Sequence, residues 1–198
     1  MGIIKHNSAL VDAMAAEFVR KPERFGCCVR RTAVLSVPDD TWTAVPFNTS
    51  AAWPGVYDWA LRHTSAWPTP YQFWAAGTPT VLKVPNPADG QLGRLNGEYM
   101  AFGNVIFSRP GVTAGIAGIA IQITRVGPVT NYISRQTVPM HTWNRGGVVT
   151  GPALTIARKI WLQPDDELQL HLYQSSGGAV DALSLTDESM YFGLNLMR

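Results

Sequence analysis

The stretch Asp166 to Leu183, DELQLHLYQSSGGAVDAL, alternates apolar and polar residues without a break and then stops at two adjacent glycines. A side-chain period of two belongs to a strand with one buried face, and a helix cannot keep it. Leu168, Leu170 and Leu172 are therefore expected to face a core, with Gln169, His171 and Tyr173 on the opposite side. Pro164-Asp165-Asp166 before the strand and Ser175 to Gly178 after it carry turn residues.

The same device recurs along the chain. In SMYFGLNLM, Met190, Phe192, Leu194 and Leu196 point one way and Tyr191 and Asn195 the other. IAIQITRVG sets Ile119, Ile121 and Ile123 on one face. In LTIARKIWL, Leu154 and Ile156 keep the alternation and Arg158 breaks it, which predicts a bulge or an exposed end there. Gly115-Ile116-Ala117-Gly118 reads as a flexible turn, and Val34, Trp42, Val45 and Phe47 mark the first strands around a Pro38-Asp39-Asp40 turn. EYMAFGNVIF differs. Tyr99, Ala101, Val105 and Phe107 share one face, while Met100, Phe102 and Ile106 make the other face apolar too. An antiparallel sheet normally gives one face to water, so this strand predicts a second burial surface outside the domain core. Self-association is the economical source of one. From Val29 onward no helical period intervenes, so an all-β sandwich or barrel is expected, without solenoid repeats.

Two segments stand apart. SALVDAMAAEFVR places Leu10, Val11, Met14 and Phe18 at helical spacing, with Ser8 as N-cap and Pro22 and Gly26 beyond the end. So short a helix is marginal alone, and its stripe needs either the body of its own subunit or a neighbouring protein. Arg20, Lys21, Arg24, Arg30 and Arg31 form a basic collar behind it. The domain reading is an N-terminal arm over 1–28 and a β domain over 29–198, interrupted at 50–80 by an aromatic, proline-rich excursion. Trp53, Tyr57, Trp59, Trp67 and Trp74 in that excursion either cover the sandwich and contact the next subunit, or stack on sugar rings.

Charged residues make up 15% of the 198, against about 25% in typical domains, so much surface must be neutral or hidden in contacts. A net charge of +2 gives no footprint for nucleic acid. The longest apolar stretch, 111–123, is too short to cross a bilayer. Cys27 and Cys28 are adjacent and are read as unpaired thiols. His6, His63, His141 and His171 are scattered, and no nucleophile elbow, phosphate loop or zinc motif occurs. Asp165, Asp166 and Glu167 are either half of a calcium site or a solvated acidic turn. A non-enzyme without metal or cofactor is expected.

The segments TWTAVPFNT (41–49), VPNPADGQLGRLNGEYMAFGNVIF (84–107), ALTIARKIWLQPDDELQLHLYQSSGGAVDAL (153–183) and SMYFGLNLM (189–197) together resemble the jelly roll of the tumour necrosis factor and complement first-component globular-head superfamily. VRRTAVLSVPDDTWTAVPFNT (29–49) resembles the version found in virion proteins of tailed bacteriophages. Where the family has Gly-Asp in its turn, this chain has Asp165-Asp166. The resemblance implies a tumour-necrosis-factor-like jelly-roll β-sandwich that assembles as a homotrimer around aromatic side chains. Tyr99, Phe102, His171, Tyr173 and Tyr191 are the interface candidates. It further implies a structural protein of a phage particle, a minor tail or capsid decoration protein, made in the host cytoplasm and then assembled on the particle surface. Leu10, Val11, Met14 and Phe18 would dock on other virion proteins. The alternative is a host-glycan-binding module using Trp53, Tyr57, Trp59, Trp67 and Trp74.

Overall fold

The structure, a computed structural model, describes residues 26–50, 72–86, 95–108, 114–125, 130–140, 143–145, 148–182 and 190–197. The expected N-terminal helix with Leu10, Val11, Met14 and Phe18, and Trp53, Tyr57, Trp59 and Trp67 of the excursion, lie outside the described residues.

Alternation becomes strand throughout, and the described residues contain no helix. In chain order the strands are β1 (Gly26–Arg31), β2 (Leu35–Val37), β3 (Thr43–Ala44), β4 (Thr49–Ser50), β5 (Leu82–Lys83), β6 (Gly97–Ser108) and β7 (Ile116–Thr124). There follow β8 (Thr130–Pro139), β9 (Trp143–Arg145), β10 (Val148–Leu162), β11 (Glu167–Gln174), β12 (Val180–Ala182) and β13 (Met190–Met197). Among the described residues they form two antiparallel sheets. Eight strands make the first, in the order β2-β12-β6-β13-β1-β4, with β10 on the other edge of β6 and β9 in a hairpin with β10. Five make the second, in the order β3-β11-β7-β8 with β5 also on β11.

The alternating apolar rows meet between these sheets. Leu168, Leu170 and Leu172 of β11 and Ile119 and Ile121 of β7 face Met190, Phe192, Leu194, Ala101, Val105 and Phe107, all buried. Each fully buried leucine or phenylalanine contributes roughly 1.5–3 kcal/mol relative to exposure. The sheets come into direct contact at Gly103. A Cβ there would lie 2.8 Å from Leu170 Cδ1, 3.2 Å from its Cδ2 and 3.3 Å from the Tyr191 carbonyl oxygen. Glycine is thus the residue that lets β6 and β11 close on each other. Phe47 stacks on Phe192 at 6.1 Å and 22°, closing the sandwich beside β1.

The most completely buried polar side chain has its bonds made. Gln174, fully buried at the end of β11, donates from Nε2 to the carbonyls of Val37 (3.1 Å) and Gly178 (2.6 Å). Its Oε1 accepts from the Ser176 amide (3.0 Å) and hydroxyl (2.6 Å). Asp39 Oδ1 accepts the amides of Ser176 and Gly177 from the other side. The soft turn after the strand is therefore a hydrogen-bonded loop held by one buried amide and one carboxylate. The two predicted turns close at Asp40 and Asp165, with φ of 51° and 71°. This left-handed conformation is tolerated by Asp better than by most residues other than Gly. Asp165 thus holds a left-handed backbone conformation that glycine adopts most readily.

Three expectations are corrected here. Gly115 alone, at φ 109°, makes the turn expected over 115–118, and β7 starts at Ile116. Register shifts fall at Thr150/Ala153 and Ile121/Gln122, so β10 pairs with β6 without a break through Arg158, whose side chain is exposed mid-strand. Tyr99 is a core residue and not a surface one. Its hydroxyl donates to the Leu95 carbonyl at 2.7 Å and its ring meets Phe73 edge-on. It shares the parity of Ala101 and Val105, so strand geometry alone turns it away from the face that carries Phe102.

Candidate interaction surfaces

Both sheets carry aromatic side chains on their outer faces. On the eight-stranded sheet, cross-strand register sets the outward residues in rows across β1, β13, β6 and β10. Cys28, Gly193, Phe102 and Ala157 make one row and Arg30, Tyr191, Asn104 and Thr155 the next. Phe102 lies across Gly193, where any Cβ would overlap its ring, and its centroid is 6.1 Å from that of Tyr191. Met100, half-buried, extends the apolar strip, and Trp161 at its edge is 55% exposed. The Lys159–Glu98 ion pair at 2.6 Å borders it. Burial pushes the Cys28 thiol up to about 12 despite nearby Arg30, and drives buried Cys27 upward as well.

The five-stranded sheet is built differently. Trp42, Tyr173, Gly118 and Thr137 form one outward row, and Ala44, His171, Ala120 and Arg135 the next. Gly118 and Ala120 leave a low strip along β7, and the Trp42 indole lies over it. Trp42 stands 5.1 Å and 30° from Tyr173 and 5.6 Å from Tyr132. The Arg135 guanidinium carbon sits 3.9 Å above the Tyr132 centroid and 5.6 Å from that of Trp42. Tyr173 donates its hydroxyl to Asp40, and that bond raises the phenol's pKa.

His171 lies at the foot of this cluster, 9% exposed, edge-on to Tyr132. Its Nε2 pairs with Gln169 Oε1 at 3.2 Å, while Nδ1 has no partner among the described residues. Desolvation holds its pKa below the ordinary imidazole value. The unfolded chain therefore takes up a proton first as pH falls, and stability present above about pH 6.5 is lost on the way down to the depressed folded pKa. Thermal unfolding between pH 7.5 and 5 is expected to show this loss, and His171→Gln to flatten that part of the profile.

The five predicted interface residues are thus divided. Phe102 and Tyr191 share the outer face of the eight-stranded sheet, His171 and Tyr173 lie on the opposite side of the sandwich, and Tyr99 is inside it. Tyr99, with no exposed surface, takes no part in a contact between subunits. Trp74, a predicted partner-binding residue, is 5% exposed and donates its indole N–H to the Pro79 carbonyl at 3.3 Å, so it belongs to the core margin. The sequence marks Trp42 only as a residue of the first strands and does not single out Tyr132 or Arg135. Only the pairing of distant strands brings them together. In the acidic turn, Asp165 binds Lys83 at 2.9 Å and Asn86, which hold its carboxyl below the usual range. Asp166 is buried and accepts the Gln163 amide at 2.9 Å. The Lys83 ammonium is the ion-pair partner of Asp165, and among the described residues no three His, Cys, Asp or Glu side chains converge as a ligand set.

No protein-family model and no curated protein matches the sequence. Solved structures do match the fold. The chain is similar to the Eiger TNF of S. frugiperda, with a TM-score of 0.54 and 11% identity over 87% of this chain and 92% of that one. Murine APRIL at pH 5.0 gives a TM-score of 0.50 and 11% identity, over 87% of this chain and 98% of that one. The fold is a tumour-necrosis-factor-like jelly roll.

Proposed function

We propose that this protein is a non-enzymatic structural subunit that assembles as a homotrimer through the outer face of its eight-stranded sheet. The observation that carries the reading is the Phe102–Tyr191 strip with Gly193, Cys28 and Met100, an apolar surface on the side of β6 turned away from the core. Aromatic side chains that bury large area dominate the energetics of such contacts. The finer reading, a minor tail or capsid decoration protein on the surface of a tailed-phage particle, is supported by the resemblance of residues 29–49 to virion proteins. On that reading the N-terminal arm docks on other virion proteins, and the mechanism is burial of area under symmetry.

Light scattering of the full chain at several concentrations tests the assembly. The expected mass is three times the 21.6 kDa of one chain. Phe102→Glu is expected to weaken association by about 100-fold or more, because it replaces a central aromatic contact by a charge at a dry interface. The strand content should persist, since Phe102 is outside the core. A wild-type mass of a single chain at every concentration would sink the proposal.

A further inference from the structure

We propose that the Trp42–Tyr132–Arg135 cluster on the outer face of the five-stranded sheet binds an acidic sugar unit, with the carboxylate on Arg135 and the ring against the aromatic side chains. Arg135 is exposed, and its guanidinium rests on the Tyr132 ring at 3.9 Å. Among the described residues no carboxylate pairs with it. A guanidinium laid on an aromatic face keeps its in-plane N–H donors for a second partner, in the fork that matches a carboxylate. The acidic groups of the region are already engaged. Asp40 accepts from Tyr173, and Asp39 caps the Ser176 and Gly177 amides across the sheet from β8.

The surroundings favour a sugar over a peptide. Trp42, Tyr132 and Tyr173 give linked, half-buried aromatic surface, and Gly118 beneath the indole sets it on the sheet as a platform. Thr137, Gln122 and Gln169, outward neighbours on β8, β7 and β11, add hydroxyl and amide groups at the margin. Tilted aromatic faces beside hydroxyl, amide and guanidinium groups match a ring that is apolar on its face and polar on its rim. The site is complete within one subunit and lies opposite the Phe102–Tyr191 face, so it stands independently of the trimer reading. If the subunits do form a trimer, three copies would engage a repeating polysaccharide with gain in avidity.

The experiment is titration of the full chain with oligogalacturonate, followed by saturation-transfer NMR and calorimetry. Neutral galacto-oligosaccharides of equal length and a poly-glutamate peptide are the comparison probes. Oligogalacturonate is expected to bind with a dissociation constant of about a millimolar or tighter, with saturation reaching its ring C–H protons. Neutral sugars should bind about tenfold more weakly, and Arg135→Ala should lose about tenfold while lowering the melting temperature only slightly, since it removes one exposed cation–π contact. Trp42→Phe is expected to weaken the saturation transfer. Absence of oligogalacturonate binding, equal binding by poly-glutamate, or binding untouched by Arg135→Ala would each overturn the assignment.

Discussion

Gly103→Val is expected to cost about 3 kcal/mol of folding stability, the upper part of the range for overpacking, and to cost clearly less in a chain that already carries Leu170→Ala. The added methyl groups would start from a Cβ already 2.8 Å from Leu170 Cδ1, with the Tyr191 carbonyl behind it at 3.3 Å. Neither sheet has room to retreat, because β6 is paired on both edges and β11 is paired to β7 along its length. Leu170→Ala alone should also destabilise, by about 2–5 kcal/mol, through the cavity it leaves. The double variant should then be more stable than the sum predicts by at least about 1 kcal/mol. Denaturant unfolding at one fixed protein concentration measures all four corners of this cycle, and strict additivity would mean that the two residues do not meet.

Gln174→Leu should cost about 3 kcal/mol, for a reason that has nothing to do with volume. The amide serves both sheets. Its N–H groups satisfy Val37 of β2 and Gly178, and its oxygen satisfies the Ser176 amide and hydroxyl. Leucine fills similar space but takes a bond from the buried Val37 carbonyl, at a penalty of about 1–3 kcal/mol, and bonds from the half-buried Ser176 hydroxyl and the Gly178 carbonyl, while Asp39 still accepts the Ser176 amide. Gln174→Glu keeps the shape and the acceptor but sets a carboxylate against two carbonyl oxygens, so it too should destabilise strongly. Hydrogen exchange at the Ser176 amide would separate the two accounts. If the amide group holds the loop, exchange accelerates in both variants, whereas a packing role alone would leave it slow.

Side-chain parity is a local property, and it was legible wherever the pattern was clean. Leu168, Leu170 and Leu172 face the core as their spacing requires, as do Met190, Phe192, Leu194 and Leu196. The two-sided character of β6 was also visible, since Phe102 and Ile106 alternate with Tyr99 and Val105 in a dozen residues. Sheet membership was not legible. It depends on pairing across long sequence separations, such as β11 with β7 and β13 with β6. For that reason aromatic residues that look equivalent in sequence, Tyr173 and Tyr191, stand on opposite sides of the sandwich. The Trp42 cluster was hidden for the same reason, being drawn from β8, β11 and the residue before β3. Gly118 gave a misleading cue. Read as a turn glycine, it is a strand glycine that makes space for an indole.

The adjacent pair Cys27 and Cys28 shows what strand parity does to chemistry. One thiol is inside the sandwich against Leu194, and the other belongs to the row of Gly193 and Phe102 on the outside. Neighbours in the chain are thereby reporters of separate events: alkylation of Cys27 times the opening of the sandwich, while alkylation of Cys28 senses whether the outer face is covered. Thiolate is scarce at both near neutral pH, so each would behave as a slow clock rather than as a redox centre. Two consecutive residues in one chain thus give a built-in footprinting pair, with the inner thiol serving as the internal standard for the outer one.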